Sequence, residues 1–239
     1  MKPQFKRVLI KLSGEALMGE QNFGIEHNAC DVIAKAIKEV YDLGVQIGVV
    51  VGGGNIFRGT QAKVFGFART PADHIGMLAT TINGLILQQS LSALQVPSVV
   101  MSALSDSFVE KYSWMKSVEE IQKGKIVIFV GGTGNPYFTT DSAAALRATE
   151  IQAEILMKAT KVDGIYNDDP KKNPNAKKYE RLTYLDALAQ QLNVMDATAI
   201  ALCRENKIPI YVFNLFQNGS FVNAVCQGKG GTLVTGETR

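Results

Sequence analysis

The chain alternates between short apolar runs and longer stretches whose apolar residues recur at helical spacing, and this alternation predicts most of its elements. Val8-Leu9-Ile10, Val45 to Val51, Val96 to Met101, Lys125 to Val130 and Glu154 to Lys158 read as strands. Several are apolar almost throughout, as strands buried on both faces of a parallel sheet are. Val32, Ile33, Ala36, Ile37, Val40 and Tyr41 predict an amphipathic helix over 28–42, stopped by Gly44. Strand, helix and strand in that order make the right-handed crossover unit of a parallel sheet. Ile75, Leu78, Ile82, Leu85, Ile86 and Leu94 predict a second helix over 74–94. Gly76 and Gly84 inside it each cost roughly 1 kcal/mol against Ala, which implies close packing on a neighbour. Asp73, just before it, serves either as its N-cap or as an acceptor for a ribose hydroxyl.

The Ser117-Val118-Glu119-Glu120 run fits a capping box and starts a short helix ended by Gly124. Ser142 to Arg147 reads as a helix with Thr140 or Asp141 at its N-cap. Helices over 183–192, 196–206 and 219–227, with strands at Pro209 to Phe213 and Thr232 to Val234, carry the alternation to the end. This is the pattern of an α/β fold. Asn167 to Lys178, holding two prolines and four lysines, reads as an exposed loop whose charges are solvated.

Two of the strands run straight into glycine. Val49-Val50-Val51 meets Gly52-Gly53-Gly54-Asn55-Ile56-Phe57-Arg58, and Ile126 to Val130 meets Gly131-Gly132-Thr133-Gly134-Asn135-Pro136-Tyr137-Phe138-Thr139-Thr140-Asp141. Glycine has no Cβ, so such loops bring backbone N–H groups against a bulky anion. In open parallel sheets ligands bind beyond the carboxyl ends of the strands, where two such loops face each other across a cleft. Arg58 adds a forked donor for phosphate oxygens. Thr133, Asn135, Thr139 and Thr140 with Tyr137 and Phe138 give the polar and apolar mixture a heterocyclic base requires. Lys11, ending the first strand before Ser13-Gly14, puts an ammonium at the same edge. Each feature alone also fits a plain turn, an N-cap or a surface lysine. Their recurrence at one sheet edge is what points to a site.

Composition narrows the chemistry. The 239 residues carry a formal net charge of +3, with 46% hydrophobic and 20% charged residues, which suits a globular protein acting on small anions. The charge is spread rather than clustered, apart from Lys171-Lys172 and Lys177-Lys178 in one expected loop, and the single Trp114 gives no aromatic stripe, so no nucleic-acid partner is expected. Cys30, Cys203 and Cys226 are odd in number and match no zinc spacing, as in a reduced cytosolic protein. No signal peptide and no membrane span is expected. The chain lacks Gly-x-x-x-x-Gly-Lys-Ser/Thr, and Phe57 and Tyr137 stand where a dinucleotide fingerprint needs glycine. His27 and His74 are too few for most metal-hydrolase sites, and no metal ligand is assigned. A strand-end lysine, two glycine loops, an Arg and an Asp suit phosphoryl transfer, in which the protein positions two anions and neutralises charge.

Lys11-Leu12-Ser13-Gly14, Val51 to Gly59, Asp73 to Thr80, Gly132 to Ala144 and Lys158 to Tyr166 together resemble the bacterial uridylate (UMP) kinases of the amino acid kinase family. The resemblance covers about residues 6–235. It implies a single domain, a three-layer α/β/α sandwich with a mostly parallel central sheet, in a cytoplasmic homohexamer of pyrimidine biosynthesis. It implies phosphorylation of UMP to UDP by ATP with Mg²⁺, inhibited by UTP in many relatives. By that similarity Lys11, Leu12, Ser13, Gly14, Gly54 and Arg58 hold the ATP phosphates, and Thr160, Tyr166 and Asp169 line the adenine and ribose end. Gly53, Asp73, Thr133, Gly134, Asn135, Pro136, Tyr137, Phe138, Thr139 and Thr140 hold UMP. Lys11, Arg58 and Asp141 are the catalytic set, with Asp196 a second carboxylate and either Lys158 or Lys161 assisting.

On this basis residues 1–150 mainly bind UMP and oligomerise, and residues 151–239 mainly bind ATP. One departure stands out: Gln88 to Gln95 has no Arg or Lys, which argues against GTP activation even though Gly19 to Gly24 keeps the outline of an effector segment. Two alternatives share the loops. A relative phosphorylating a carboxylate or carbamate needs Lys11 and Gly52 to Gly54 but not the run Asn135 to Asp141. A nucleotide-binding regulator without turnover uses the same loops but does not need both Lys11 and Asp141.

Overall fold

In chain order the strands are β1 (Arg7–Leu12), β2 (Gln46–Val51), β3 (Ser98–Ser102), β4 (Glu110–Lys111), β5 (Ile126–Val130), β6 (Ile155–Thr160), β7 (Ile165–Tyr166), β8 (Lys178–Tyr179), β9 (Arg181–Thr183), β10 (Ile210–Asn214) and β11 (Gly231–Thr235). The helices are α1 (His27–Tyr41), α2 (Arg69–Ala93), α3 (Trp114–Gln122), α4 (Thr140–Glu150), α5 (Tyr184–Ala189), α6 (Ala197–Glu205) and α7 (Ser220–Gln227). This computed structural model describes residues 1–58, 64–105, 107–170, 172–192 and 194–236. Gly59 and Lys171, which enter the sequence motifs, lie outside them.

Among the described residues nine strands form one sheet in the order β4-β3-β5-β2-β1-β6-β10-β11-β9. Neighbours are parallel except β10 with β11. The chain leaves β1 toward β2 and later returns to its other side as β6, so strand order reverses at β1. That reversal opens a crevice beyond the carboxyl ends of β1, β2 and β6.

Alternation along each strand builds the layers. Val8, Ile10 and Leu12 face a core shared with α1, the later turns of α2, and α7, whereas Leu9 faces one shared with α3, α4, α5 and α6. Leu156 and Val212 share the face of Leu9. Lys11 and Lys158, two residues beyond Leu9 and Leu156, therefore project on that face and are register partners.

Three helix starts differ from the sequence expectation. α2 begins at Arg69, so Asp73 lies inside the helix instead of capping it. α3 begins at Trp114 with Ser113 extended at the N-cap, and Ser117 Oγ donates back to the Ser113 carbonyl at 2.7 Å. The serine of the supposed capping box is thus a mid-helix residue bonding the preceding turn. In α4 the cap is Thr139, whose Oγ1 accepts from Asp141 N–H at 3.0 Å. With Thr139 as cap, neither Thr140 nor Asp141 has that task, and the Asp141 carboxylate is left to other partners. The close packing expected of Gly84 is present: a Cβ there would lie 2.4 Å from Val130 Cγ1. At Gly76 it is not: a Cβ there would meet nothing within 4 Å, and the tight contact belongs to Gly53, whose own hypothetical Cβ would lie 2.7 Å from the Gly76 carbonyl oxygen.

Candidate active site

β2 and β5 are parallel neighbours with Val50 opposite Phe129, so both glycine loops leave the same rim of the sheet. Gly53, Gly54, Arg58, Asp73, Gly132, Phe138, Thr139 and Thr140 line one cavity of about 710 Å³, within the range of small-molecule sites. Of the expected UMP set, Thr133, Gly134, Asn135, Pro136 and Tyr137 belong to the same loop but are not among the residues lining that cavity. Asp73 fastens that loop, accepting the Tyr137 N–H at 2.7 Å and the Arg69 Nε–H at 2.8 Å. Tyr137 takes φ +73°, a conformation uncommon for an aromatic residue, and the Arg69 guanidinium lies 5.4 Å from its ring centre.

The rim after β1 is built on a contact only glycine permits. A Cβ on Gly14 would lie 2.4 Å from Asn55 Oδ1 and 2.9 Å from Gly54 N. Gly14 opens a short 3₁₀ turn, Gly14–Ala16, whose N-cap is Ser13. Arg58 folds over this cradle, its Nε donating to the Gly54 carbonyl at 2.9 Å and its Nη2 2.9 Å from Glu15 Oε1.

At the same rim stands a buried charge cluster whose residues are not among those lining the 710 Å³ cavity. Lys11 Nζ lies 2.8 Å from Asp141 Oδ1, and Lys158 Nζ lies 3.2 Å from Asp141 Oδ2 and also donates to the Val194 carbonyl. Burial by itself would raise the Asp141 pKa, but Lys11 and then Lys158 outweigh it and hold the carboxyl below its ordinary 3.8. Burial lowers the Lys158 pKa from 10.5, with Asp141 resisting and Lys11 reinforcing the fall. Asp141 contacts both ammoniums, and Asp196 adds a weaker pull on Lys158. Two lysines held in fixed positions in a poorly solvated pocket are preorganised to meet an anion.

The amino acid kinase family model matches residues 6–214. The chain belongs to the amino acid kinase family. It is 60% identical over 217 residues to a uridylate kinase of Protochlamydia amoebophila, covering 89% of this chain and 86% of that protein. It is 50% identical over 233 residues to a uridylate kinase of Pseudomonas paraeruginosa, covering 97% and 95%. Among solved structures it resembles a UMP kinase from Bacillus anthracis with a TM-score of 0.94 at 38% identity, covering 98% of this chain and 97% of that one. A UMP kinase from Ureaplasma parvum gives 0.91 at 41% identity, covering 98% and 100%.

In this amino acid kinase chain the geometry also decides what the sequence left open. Lys158 joins Asp141, whereas Lys161 turns away to donate to the Gly19 carbonyl at 2.8 Å. Asp196 caps α6, accepting the Ala199 N–H at 2.7 Å, and receives hydroxyl bonds from Thr139 and from Ser142 at 3.1 Å. It thus ties α6 to the start of α4. Thr160, Tyr166 and Asp169 are not among the residues lining the 710 Å³ cavity. Thr160 Oγ1 donates to the Val162 carbonyl at 2.6 Å, and the Tyr166 hydroxyl donates to Asp163 Oδ1 at 2.6 Å. That bond, ahead of burial, pushes the Tyr166 pKa up to about 12. Sequence reasoning missed Thr80 and Asn83 on α2, both buried polar groups. Their trace in the sequence is a short polar group, Thr80, Thr81 and Asn83, among the buried positions of that helix.

Proposed function

We propose that the chain phosphorylates UMP to UDP by direct in-line transfer from ATP, within pyrimidine nucleotide biosynthesis. The observation that carries this reading is the Lys11-Asp141-Lys158 cluster at the rim where both glycine loops open. A phosphate oxygen of UMP attacks the γ-phosphorus, the bond from that phosphorus to the β-bridging oxygen breaks, and ADP leaves with the electron pair. Lys11 and Arg58 meet the charge spread over the moving group, and Asp141 keeps the two lysines aimed. Gly53, Asp73 and the loop Thr133 to Thr140 hold UMP; Lys11 to Gly14, Gly54, Thr160, Tyr166 and Asp169 hold ATP. Residues 1–150 thus carry mainly the acceptor and residues 151–239 mainly the donor base.

Among the described residues no group of three His, Cys, Asp or Glu side chains is placed to hold a metal. Both Asp141 oxygens face lysines, so the residues present fit Mg²⁺ that arrives on the nucleotide phosphates, not in a protein cage. Bound there, it neutralises charge on the β- and γ-phosphate oxygens.

The homohexamer of this reading draws on Ile75, Leu78 and Ile82, large apolar side chains exposed at helical spacing on α2, which a second copy would cover. Among the described residues no helix is long and apolar enough to cross a membrane, and a cytoplasmic enzyme inhibited by UTP completes the reading.

A coupled assay with ATP-Mg²⁺ against UMP, CMP, dUMP, glutamate and carbamate tests it: turnover of UMP alone at high efficiency is expected, and GTP leaves the rate unchanged. Preference for glutamate or carbamate, or nucleotide binding without turnover, would overturn it. Asp73→Asn supplies a second check. It weakens the charge-assisted bonds to Tyr137 and Arg69 along with any to the ribose, so the KM for UMP should rise about tenfold or more while kcat changes little.

A further inference from the structure

One buried face of α2 touches both glycine loops within a single turn. Thr80 Oγ1 accepts the Gly131 N–H at 2.7 Å and donates to the Met77 carbonyl at 2.6 Å. Three residues on, Asn83 Nδ2 donates to the Gly52 carbonyl at 2.6 Å and to Asn55 Oδ1 at 2.7 Å. Asn55 Nδ2 returns a bond to Asn83 Oδ1 at 3.1 Å and another to the Gly24 carbonyl at 2.9 Å. Asn83 is wholly buried, and Asn55 and Thr80 are each 2% exposed. Gly53 lies between these ties, its hypothetical Cβ 2.9 Å from Ala79 Cβ and 3.1 Å from Thr80 N.

Buried polar groups are costly unless satisfied, and here the satisfied partners are the backbones of two ligand loops. Gly131, Gly132 and Gly134 take φ of +75°, +60° and +82°, so that loop needs an external tie to hold one conformation. On the other side, the Asn55 amide is the surface against which Gly14 packs, a Cβ on Gly14 lying 2.4 Å from Asn55 Oδ1. Residues i and i+3 of a helix lie on one face about one turn apart.

We propose that Thr80 and Asn83 are positioning residues that fix the separation of the acceptor and donor loops, Thr80 acting through Gly131 on the UMP side and Asn83 through Asn55 and Gly52 on the ATP side. This rests on the proposed assignment of the two sides to UMP and ATP.

The test is a split in kinetic constants. Thr80→Val keeps the shape and removes the acceptor, so the KM for UMP rises about tenfold with the KM for ATP within about twofold, and Thr80→Ser restores the wild-type value. Asn83→Leu removes the donor to the Gly52 carbonyl and to Asn55 Oδ1 while Asn55 Nδ2 keeps the Gly24 carbonyl, so the KM for ATP rises about tenfold and that for UMP changes less. Asn55→Ser is the gentler second variant should Asn83→Leu fold poorly, and it shifts the same constant. Equal changes in both KM values, or lower melting temperatures with unchanged KM values, would show Thr80 and Asn83 to be ordinary core residues. Wild-type protein that turns over UMP while the variants show no split overturns this inference alone. Wild-type protein without UMP turnover overturns the functional reading and this inference with it.

Discussion

Replacing Lys11 with alanine is expected to lower kcat about a thousandfold while the KM for UMP stays within about twofold. Loss of one preorganised donor aimed at developing charge costs about 10²–10³ in rate, and Lys11 is better shielded than most, with a side chain 10% exposed. A thousandfold is about 4 kcal/mol of transition-state stabilisation. The selectivity for kcat is expected from the proposed role: Lys11 stands at the end of β1, shortly before the Gly14 turn, and a lysine that meets the phosphoryl group in transit more strongly than either bound nucleotide acts on kcat. Deleting one partner of a buried ion pair can also destabilise by about 3–5 kcal/mol, but Lys158 remains beside Asp141 and limits that loss. Lys11→Met keeps the packed stem, so a matching rate loss in a variant that melts like wild type separates chemistry from folding. The opposite pattern, a large rise in the KM for UMP with kcat intact, would make Lys11 an acceptor-binding residue.

What the sequence made legible were features encoded locally. A strand buried on both faces needs no partner to be read as apolar, which is why β1, β2, β3, β5, β6 and β10 were foreseeable within a residue or two. The helices α1, α5, α6 and α7 carry their own periodicity and ends. The two glycine loops declare themselves because only a backbone that must approach something closely is written with so much glycine. That they open on one rim is a property of sheet order, which apolar runs do not encode. It became visible only with β2 and β5 paired in parallel.

The rest depended on tertiary partners. β4, β7 and β8 have two residues each, too few to form an apolar run, and Glu110 and Lys111 are both exposed. Helix starts failed where several polar residues competed for one cap: Thr139, Thr140 and Asp141 all suit the position, and the choice of Thr139 goes with Asp141 being drawn to two lysines. The same reasoning covers Asp73, whose carboxylate serves Tyr137, a residue 64 positions away. Between Lys158 and Lys161 no sequence rule chooses; strand parity does, since Lys158 shares the sheet face of Lys11 and Lys161 lies beyond the end of β6. Asn55 and Asn83 read as one loop residue and one helix residue until the fold sets their amides face to face.

Asp141→Asn is the sharper probe of that cluster, because it changes charge with almost no change of shape. In the wild type, Asp141 is foremost among the influences that hold the Lys158 pKa up against burial, while Lys11 pushes it down. With asparagine in place, burial and Lys11 face only the weaker pull of Asp196, so the Lys158 pKa falls further below 10.5 and the ammonium is lost as pH rises through a lower value. The expected result is a kcat about a hundredfold down near neutral pH, with the alkaline limb of the rate profile moved to lower pH than in the wild type. Stability has its own sign. The folded Asp141 pKa lies below 3.8, so its ion pairs contribute fully above that value and the contribution is lost as pH falls through the folded one. The gap in urea stability between wild type and variant should therefore be widest near neutral pH and close in acid. A variant whose rate profile is only scaled down, with both limbs in place and a stability gap independent of pH, would mean that Asp141 does not govern the charge of the lysines it touches.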